Sequence, residues 1–229
     1  MPNIVKITTK FNIFDLLVPH SCRGCGRIGN ILCDRCKKNI LKSHCNFCPI
    51  CKTPNLNGKC KNHPSLPPTF IVDYRHGLLD QLIHEYKYES VRSLARPFAE
   101  IINQILPTME SKVFIVPLPT IAKHIRERGL DHTLLIAKYL AKTHISWQAQ
   151  QLLARNQNTI QVGANRKTRL KQADSAYSIN PNVKINPTAS YLLFDDVWTT
   201  GASISAAIKK LRERGAKNII IALLAVSEL

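Results

Sequence analysis

The sequence predicts an α/β fold: a parallel sheet with helices on both faces, preceded by a small cysteine-rich module. Three observations carry this expectation. All eight cysteines lie within the first 60 residues, mostly at CxxC spacing. From about Thr69 onward cysteine disappears, and strand-like and helix-like patterns alternate, the order that gives parallel strands joined by crossover helices. Near the C-terminus the apolar run Tyr191-Leu192-Leu193-Phe194 leads into Asp195-Asp196 and then Thr199-Thr200-Gly201-Ala202-Ser203, with a helical pattern behind it. The 229 residues suffice for one α/β domain of about 150 residues and a smaller unit. The expected division is 1–68 for an N-terminal tail, the cysteine module and a Pro-rich linker, and 69–229 for the α/β domain.

The cysteine module comes first. Cys22, Cys25, Cys33 and Cys36 supply four thiolates on two tight turns, a set that can close tetrahedrally on Zn²⁺. Cys48, Cys51, Cys60 and His63 offer three thiolates and an imidazole, with Cys45 as the odd residue that could replace one of them. Pairing across the two sets stays open, as does a count of one or two zinc ions. The metal's expected role is structural, because so small a core seldom folds unaided. Clustered CxxC pairs in an otherwise cysteine-free chain also favour metal ligation over a disulfide framework. Pro54, Pro64, Pro67 and Pro68 then mark a linker.

Within the larger domain, Leu78, Leu79, Leu82 and Ile83, then Val91, Leu94, Phe98 and Ile101, recur at helical spacing around the polar stretch Glu85-Tyr86-Lys87-Tyr88-Glu89. Val113-Phe114-Ile115-Val116 reads as a strand that ends at Pro117. A helix is expected from about Asp131 through Leu140. The polar span from Arg155 to Lys171 reads as a lid over a ligand or as a plain solvated loop. A helix from Ala206 to Arg214, closed by Gly215, and a last strand Ile219–Leu224 complete the pattern.

The net charge of +17 suits a polyanionic partner, since basic surfaces bind nucleic acid through release of condensed counterions. It is equally compatible with a solvated basic surface. No apolar run approaches the roughly 20 residues that span a bilayer, and Met1-Pro2-Asn3-Ile4-Val5-Lys6 lacks a secretory signal. A cytoplasmic protein without a transmembrane segment is expected.

The Asp195-Asp196 stretch reads as a phosphorylated-sugar site. A strand delivers both carboxylates to its C-terminal edge, where they can accept hydrogen bonds from paired ribose hydroxyls or sit beside a hydrated Mg²⁺. Behind them the hydroxyls, backbone N–H groups and helix N-terminus from Thr199 through Ser203 suit a monophosphate.

This stretch resembles the signature of type I phosphoribosyltransferases, which bind 5-phosphoribosyl-1-pyrophosphate (PRPP) with Mg²⁺. The resemblance implies that Asp195 and Asp196 face the ribose and stabilise positive charge as pyrophosphate leaves, while Thr199, Thr200, Gly201, Ala202 and Ser203 hold the 5′-phosphate. It also implies that Val116-Pro117-Leu118-Pro119-Thr120 forms the pyrophosphate loop. Pro117, Leu118 and the following Arg126, flanked by Lys123 and Arg128, would serve that end of the ligand.

Over the span from about Pro19 to the C-terminus the motif order resembles the ComF family of competence proteins. The order is cysteine module, Lys87-Tyr88, Val116-Pro117-Leu118-Pro119, Arg126-Glu127-Arg128-Gly129, Arg155 with Thr159 and Gln161, and the Asp-Asp-x-x-Thr-Thr-Gly loop. The resemblance implies a type I phosphoribosyltransferase-like domain and a part in natural transformation and DNA uptake. Incoming single-stranded DNA and other competence proteins would then be partners. An active phosphoribosyltransferase of nucleotide salvage or a related pathway is the alternative. Family members commonly read Arg-Gly-Phe-Asn-Gln where this chain has Arg128-Gly129-Leu130-Asp131-His132. His63 stands where a last cysteine is usual, and Ser203 where threonine is frequent.

Overall fold

The computed structural model describes residues 20–42, 44, 46–109, 111–156, 176–179, 181 and 183–227. Two short antiparallel strands, β1 (His20–Ser21) and β2 (Ile28–Gly29), frame the first CxxC turn, and α1 (Asp34–Leu41) starts beside the second. Then follow β3 (Thr69–Tyr74), α2 (Gly77–Tyr88), a 3₁₀ turn at Arg92–Leu94 and α3 (Ala95–Ile105). Next come β4 (Val113–Pro117), α4 (Ala122–Arg128), α5 (His132–Ala141) and β5 (Trp147–Ala149). A small antiparallel pair, β6 (Leu153–Arg155) and β7 (Tyr177–Ile179), precedes β8 (Ser190–Trp198), α6 (Ala202–Glu213) and β9 (Asn218–Val226).

The main sheet has the order β3-β9-β8-β4-β5, and all four pairings are parallel. Alternate strand residues divide the apolar interior into two layers. Phe70, Val72, Val113, Ile115, Leu192, Phe194 and Ala222 meet α2, α3 and α5 on one face. Ile71, Val116, Tyr191, Leu193, Ile221 and Leu223 meet α6 and the β6–β7 pair on the other. Period-two alternation with burial on both sides is why these strands read as continuous apolar runs. The α/β expectation, with helices on both faces of a parallel sheet and a cysteine cluster ahead of it, is what the chain forms.

Winding places the ligand edge. The chain steps outward from β4 to β5 in one direction and from β8 to β9 in the other, so the connectivity reverses between the adjacent strands β4 and β8. Open parallel sheets bind ligands beyond the strand C-termini at that reversal. Here it is flanked by Pro117-Leu118 and by Asp195-Asp196.

The cysteine module is docked on the sheet domain. Cys22, Ile31, Leu32, Cys36 and Ile40 share one apolar cluster with Phe98, Ile101 and Ile102. Lys37 Nζ donates to Glu100 Oε2 at 2.7 Å, and Arg23 pairs with Glu85 of α2 at 3.3 Å. Beside edge strand β3, Thr69 N donates to Gly58 O at 2.9 Å, His44 Nδ1 lies 3.0 Å from Val72 O, and Phe47 stacks on Tyr74 at 4.4 Å. These contacts cover an edge whose unpaired backbone would otherwise invite another strand.

Several elements differ from expectation. β3 was not anticipated, and Glu85–Tyr88 belong to α2 rather than to a gap between helices. α6 begins at Ala202, earlier than Ala206, and ends at Glu213, with Gly215 at φ +94° just beyond. Hydrogen-bonded strand β8 continues past the two acids to Trp198, in register with β9. Among the described residues no helix is long and apolar enough to cross a membrane.

Candidate functional site

Asp195 and Asp196 sit near the carboxyl end of central strand β8, half-buried. Successive strand residues point to opposite faces. Asp196 therefore meets α2, where Lys87 Nζ lies 2.8 Å from its Oδ2 with both side chains largely enclosed. Asp195 Oδ1 accepts a hydrogen bond from Asp196 N at 2.9 Å. Burial first, and the Asp196 charge second, push the Asp195 carboxyl up to about 8, against the pull of the Asp196 N–H, Lys87 and Arg155. Two adjacent carboxylates in a partly dry site leave a deficit of positive charge that Lys87 does not fully answer.

Lys87 is the site residue that sequence reasoning did not assign a role. Its signals in the sequence are its place at the C-terminal end of an amphipathic stretch and the Lys87-Tyr88 pair in the family resemblance, neither of which points to a partner. Lys87→Met is expected to lower stability by about 1–2 kcal/mol, because it strands Asp196 in a partly buried position. Urea denaturation of the ligand-free protein measures this, and a midpoint equal to wild type would show the pair to be dispensable.

The Pro117-Leu118-Pro119-Thr120 turn is tied to both neighbours. Leu118 N donates to Phe194 O at 2.8 Å, and Leu118 O accepts from Thr133 Oγ1 at 2.7 Å. Asp131 caps α5 by accepting from Leu134 N at 3.2 Å, and also accepts from Thr120 Oγ1 at 3.1 Å. Asparagine could accept the same bonds, so the Asp131 departure from the family pattern keeps this cap. His132 is buried, and neither ring nitrogen has a hydrogen-bond partner among the described residues. Burial, then the Arg128 charge, lowers its pKa. Arg126 is exposed on α4, and no contact joins it to the carboxylates among the described residues.

Beyond the acids, Thr199, Thr200 and Ala202 are exposed, Ser203 is half-buried, and Gly201 is buried at φ +75° as the N-cap of α6. The first turn of α6 aims N–H groups that have no helical acceptors out of this loop. The β6–β7 pair closes the flank, where Arg155 Nη1 donates to Tyr177 Oη at 3.3 Å. The rest of the expected lid, from residue 157 through Lys171, lies outside the described residues, as does Cys45. Tyr86 and Trp198 are core residues, whereas Tyr88 is exposed, with the Arg128 guanidinium 4.9 Å from its ring centre.

The cysteine clusters assemble as the spacing predicted. In each of the sets Cys22, Cys25, Cys33, Cys36 and Cys48, Cys51, Cys60, His63, the ligand atoms all lie within 4.8 Å of one another. Cys25 and Cys33 sulfurs are 3.7 Å apart, Cys51 and Cys60 sulfurs 3.6 Å, and His63 Nδ1 is 3.5 Å from Cys48 Sγ. Zn–S bonds of about 2.3 Å around a tetrahedron imply S–S edges of roughly 3.8 Å, so both sets fit zinc. Electrostatics agree: backbone donation around Arg27 pulls Cys25 down to about 6, while burial and neighbouring thiols push Cys36 up to about 12. Four thiolates cannot ionise together unless a cation answers them. Metal analysis is expected to find two zinc ions per chain, and His63→Ala one. A single ion in wild type would show that only one cluster is a zinc site.

Fold and clusters together define an α/β protein with a cysteine-rich unit, able to hold metal, docked on its parallel sheet. No protein-family model matches the chain. It is 25% identical over 193 residues to competence protein ComFC of Streptococcus pneumoniae, covering 84% of this chain and 80% of that protein. It is 27% identical over 220 residues to competence protein F of Haemophilus influenzae, covering 91% of this chain and 96% of that protein. These likenesses, over most of each chain, support a ComF-family protein.

Proposed function

We propose that this chain is a cytoplasmic competence protein for natural transformation, which handles incoming single-stranded DNA and binds PRPP at the Asp195-Asp196 site. The names of its two relatives support the competence role. The observation that carries the ligand reading is the under-neutralised carboxylate pair at the sheet's winding reversal, next to an anion-suited loop. Asp195 and Asp196 would accept from the ribose hydroxyls and stabilise positive charge developing at the anomeric carbon. Thr199, Thr200, Ser203 and the first N–H groups of α6 would hold the 5′-phosphate, and the latched Pro117-Leu118 turn would position the pyrophosphate end. Mg²⁺ bound with PRPP would screen the leaving pyrophosphate. Lys87 holds Asp196 in place and stands ready to contact an anion.

The test is thermal denaturation with PRPP and Mg²⁺, because a ligand that binds only the folded state raises its apparent stability. A rise in wild type that vanishes in Asp195→Asn/Asp196→Asn supports the reading; no rise in wild type ends it. Pyrophosphate release from PRPP with a panel of bases, above the level of that double variant, would establish transferase activity. The DNA-handling part stands or falls on gel shifts with single-stranded oligonucleotides across a salt series.

A further inference from the structure

A basic cleft lies at the amino-terminal ends of β3 and β9, on the side of the sheet away from the carboxylates. It has a volume of about 390 Å³ and opens between the second cysteine cluster and the end of α6, where Pro68 precedes β3 and Lys217 precedes β9. Lys59, Lys61, Arg212 and Lys217 line it over a floor of prolines, Leu66 and Ile219, and no acid lines it. Among the described residues Lys59, Lys61 and Lys217 make no ion pair, and Glu213, next to Arg212, is engaged by Lys210 at 3.0 Å. Arg212 Nη2 donates to Ser65 O at 3.3 Å, which ties α6 to the linker and fixes the two walls together. Lys59 and Lys61 flank Cys60, so the metal cluster also sets their spacing.

Unanswered cations gathered from two chain segments around a rigid floor repel one another and favour an anionic occupant. No aromatic ring lines the cleft to stack on bases, which leaves the repeating phosphates as the feature it can grip. We infer that this cleft binds the phosphodiester backbone of a nucleic acid, independently of sequence and separately from the Asp195-Asp196 site. The inference deepens the DNA-handling reading and rests on it.

Fluorescence anisotropy of the zinc-loaded full chain with labelled oligothymidylate, at several salt concentrations, tests it. Lys59→Gln/Lys61→Gln/Lys217→Gln removes three charges. It is compared with Lys138→Gln/Lys142→Gln/Lys184→Gln, which removes three from exposed positions elsewhere. Zinc content and melting temperature report the integrity of each variant. The cleft variant is expected to reduce the slope of log K against log salt by about 2 and to weaken binding on the order of 10- to 100-fold at moderate salt. The control set should leave both near wild type. Equal losses in the two variants, or an unchanged slope in the cleft variant while wild type binds, overturn the cleft alone. Failure of wild type to bind at low salt removes the DNA-handling reading itself. Tighter binding of poly-glutamate than of oligothymidylate, lost in the cleft variant, would replace nucleic acid by an acidic protein.

Discussion

Gly201→Ala is expected to destabilise the protein by about 3 kcal/mol and to abolish any response to PRPP. Gly201 adopts φ +75°, and a Cβ there would lie 2.2 Å from Cζ2 of the Trp198 indole. Left-handed backbone alone costs a residue with a side chain roughly 1–2 kcal/mol, and the overlap adds a packing term of similar size. The indole cannot simply step aside, since Trp198 is buried in the layer formed by Ile204, Ile208 and Leu211. Relief must come from moving the loop, which shifts Thr199, Thr200 and the first turn of α6 together. For a chain of this size the loss corresponds to a fall in melting temperature of about 6–12 °C. Scanning calorimetry of ligand-free protein reads it; a change of less than about 3 °C would mean that the loop accommodates a methyl group and that the close glycine–tryptophan packing is not needed.

What could be read from the sequence was whatever local pattern encodes. The apolar runs of β4, β8 and β9 are buried on both faces, so their hydrophobicity is continuous and their strand character plain. The two ligand sets of the cysteine module were legible because a tetrahedral site constrains spacing along the chain as well as in space. β3 escaped because Thr69-Phe70-Ile71-Val72-Asp73-Tyr74 follows a proline pair and sits at the shift in composition, where a linker was expected to end. α2 was cut short for a different reason. Its polar last turn looked like a break, but Glu85 is neutralised by Arg23 from the cysteine module and Lys87 by Asp196 from β8. Both partners are remote in sequence, and no periodicity within the helix announces them. The same remoteness hid Lys87 as a site residue, and hid the way Asp131 and Thr133 latch the Pro117-Leu118 turn.

Asp195→Asn is expected to stabilise the ligand-free protein at alkaline pH while destroying ligand binding. In the folded chain the Asp195 carboxyl is raised from 3.8 to about 8, so the folded state holds a proton that the unfolded state has lost across that interval. Stability from this group is therefore greatest at low pH, declines as pH rises from about 4, and is fully forfeited above about 8. Asparagine removes the ionisation. The advantage of the variant over wild type should already show at pH 5.5, above the unfolded-state value, and should grow further by about 1–3 kcal/mol by pH 8.5. Buried His132 acts in the opposite sense: its pKa is lowered, so its contribution is lost as pH falls. Because His132 and the clustered cysteines are common to both proteins, taking the difference between variant and wild type at each pH cancels them. Paired melting curves from pH 5.5 to 8.5, with and without PRPP and Mg²⁺, give both readouts. A carboxylate kept for folding would behave the other way, its loss costing stability at every pH and leaving any ligand response intact. A variant that is less stable than wild type at pH 8.5 would sink the claim that the fold carries Asp195 at a cost, and with it the strongest physical reason to regard the pair as a ligand site.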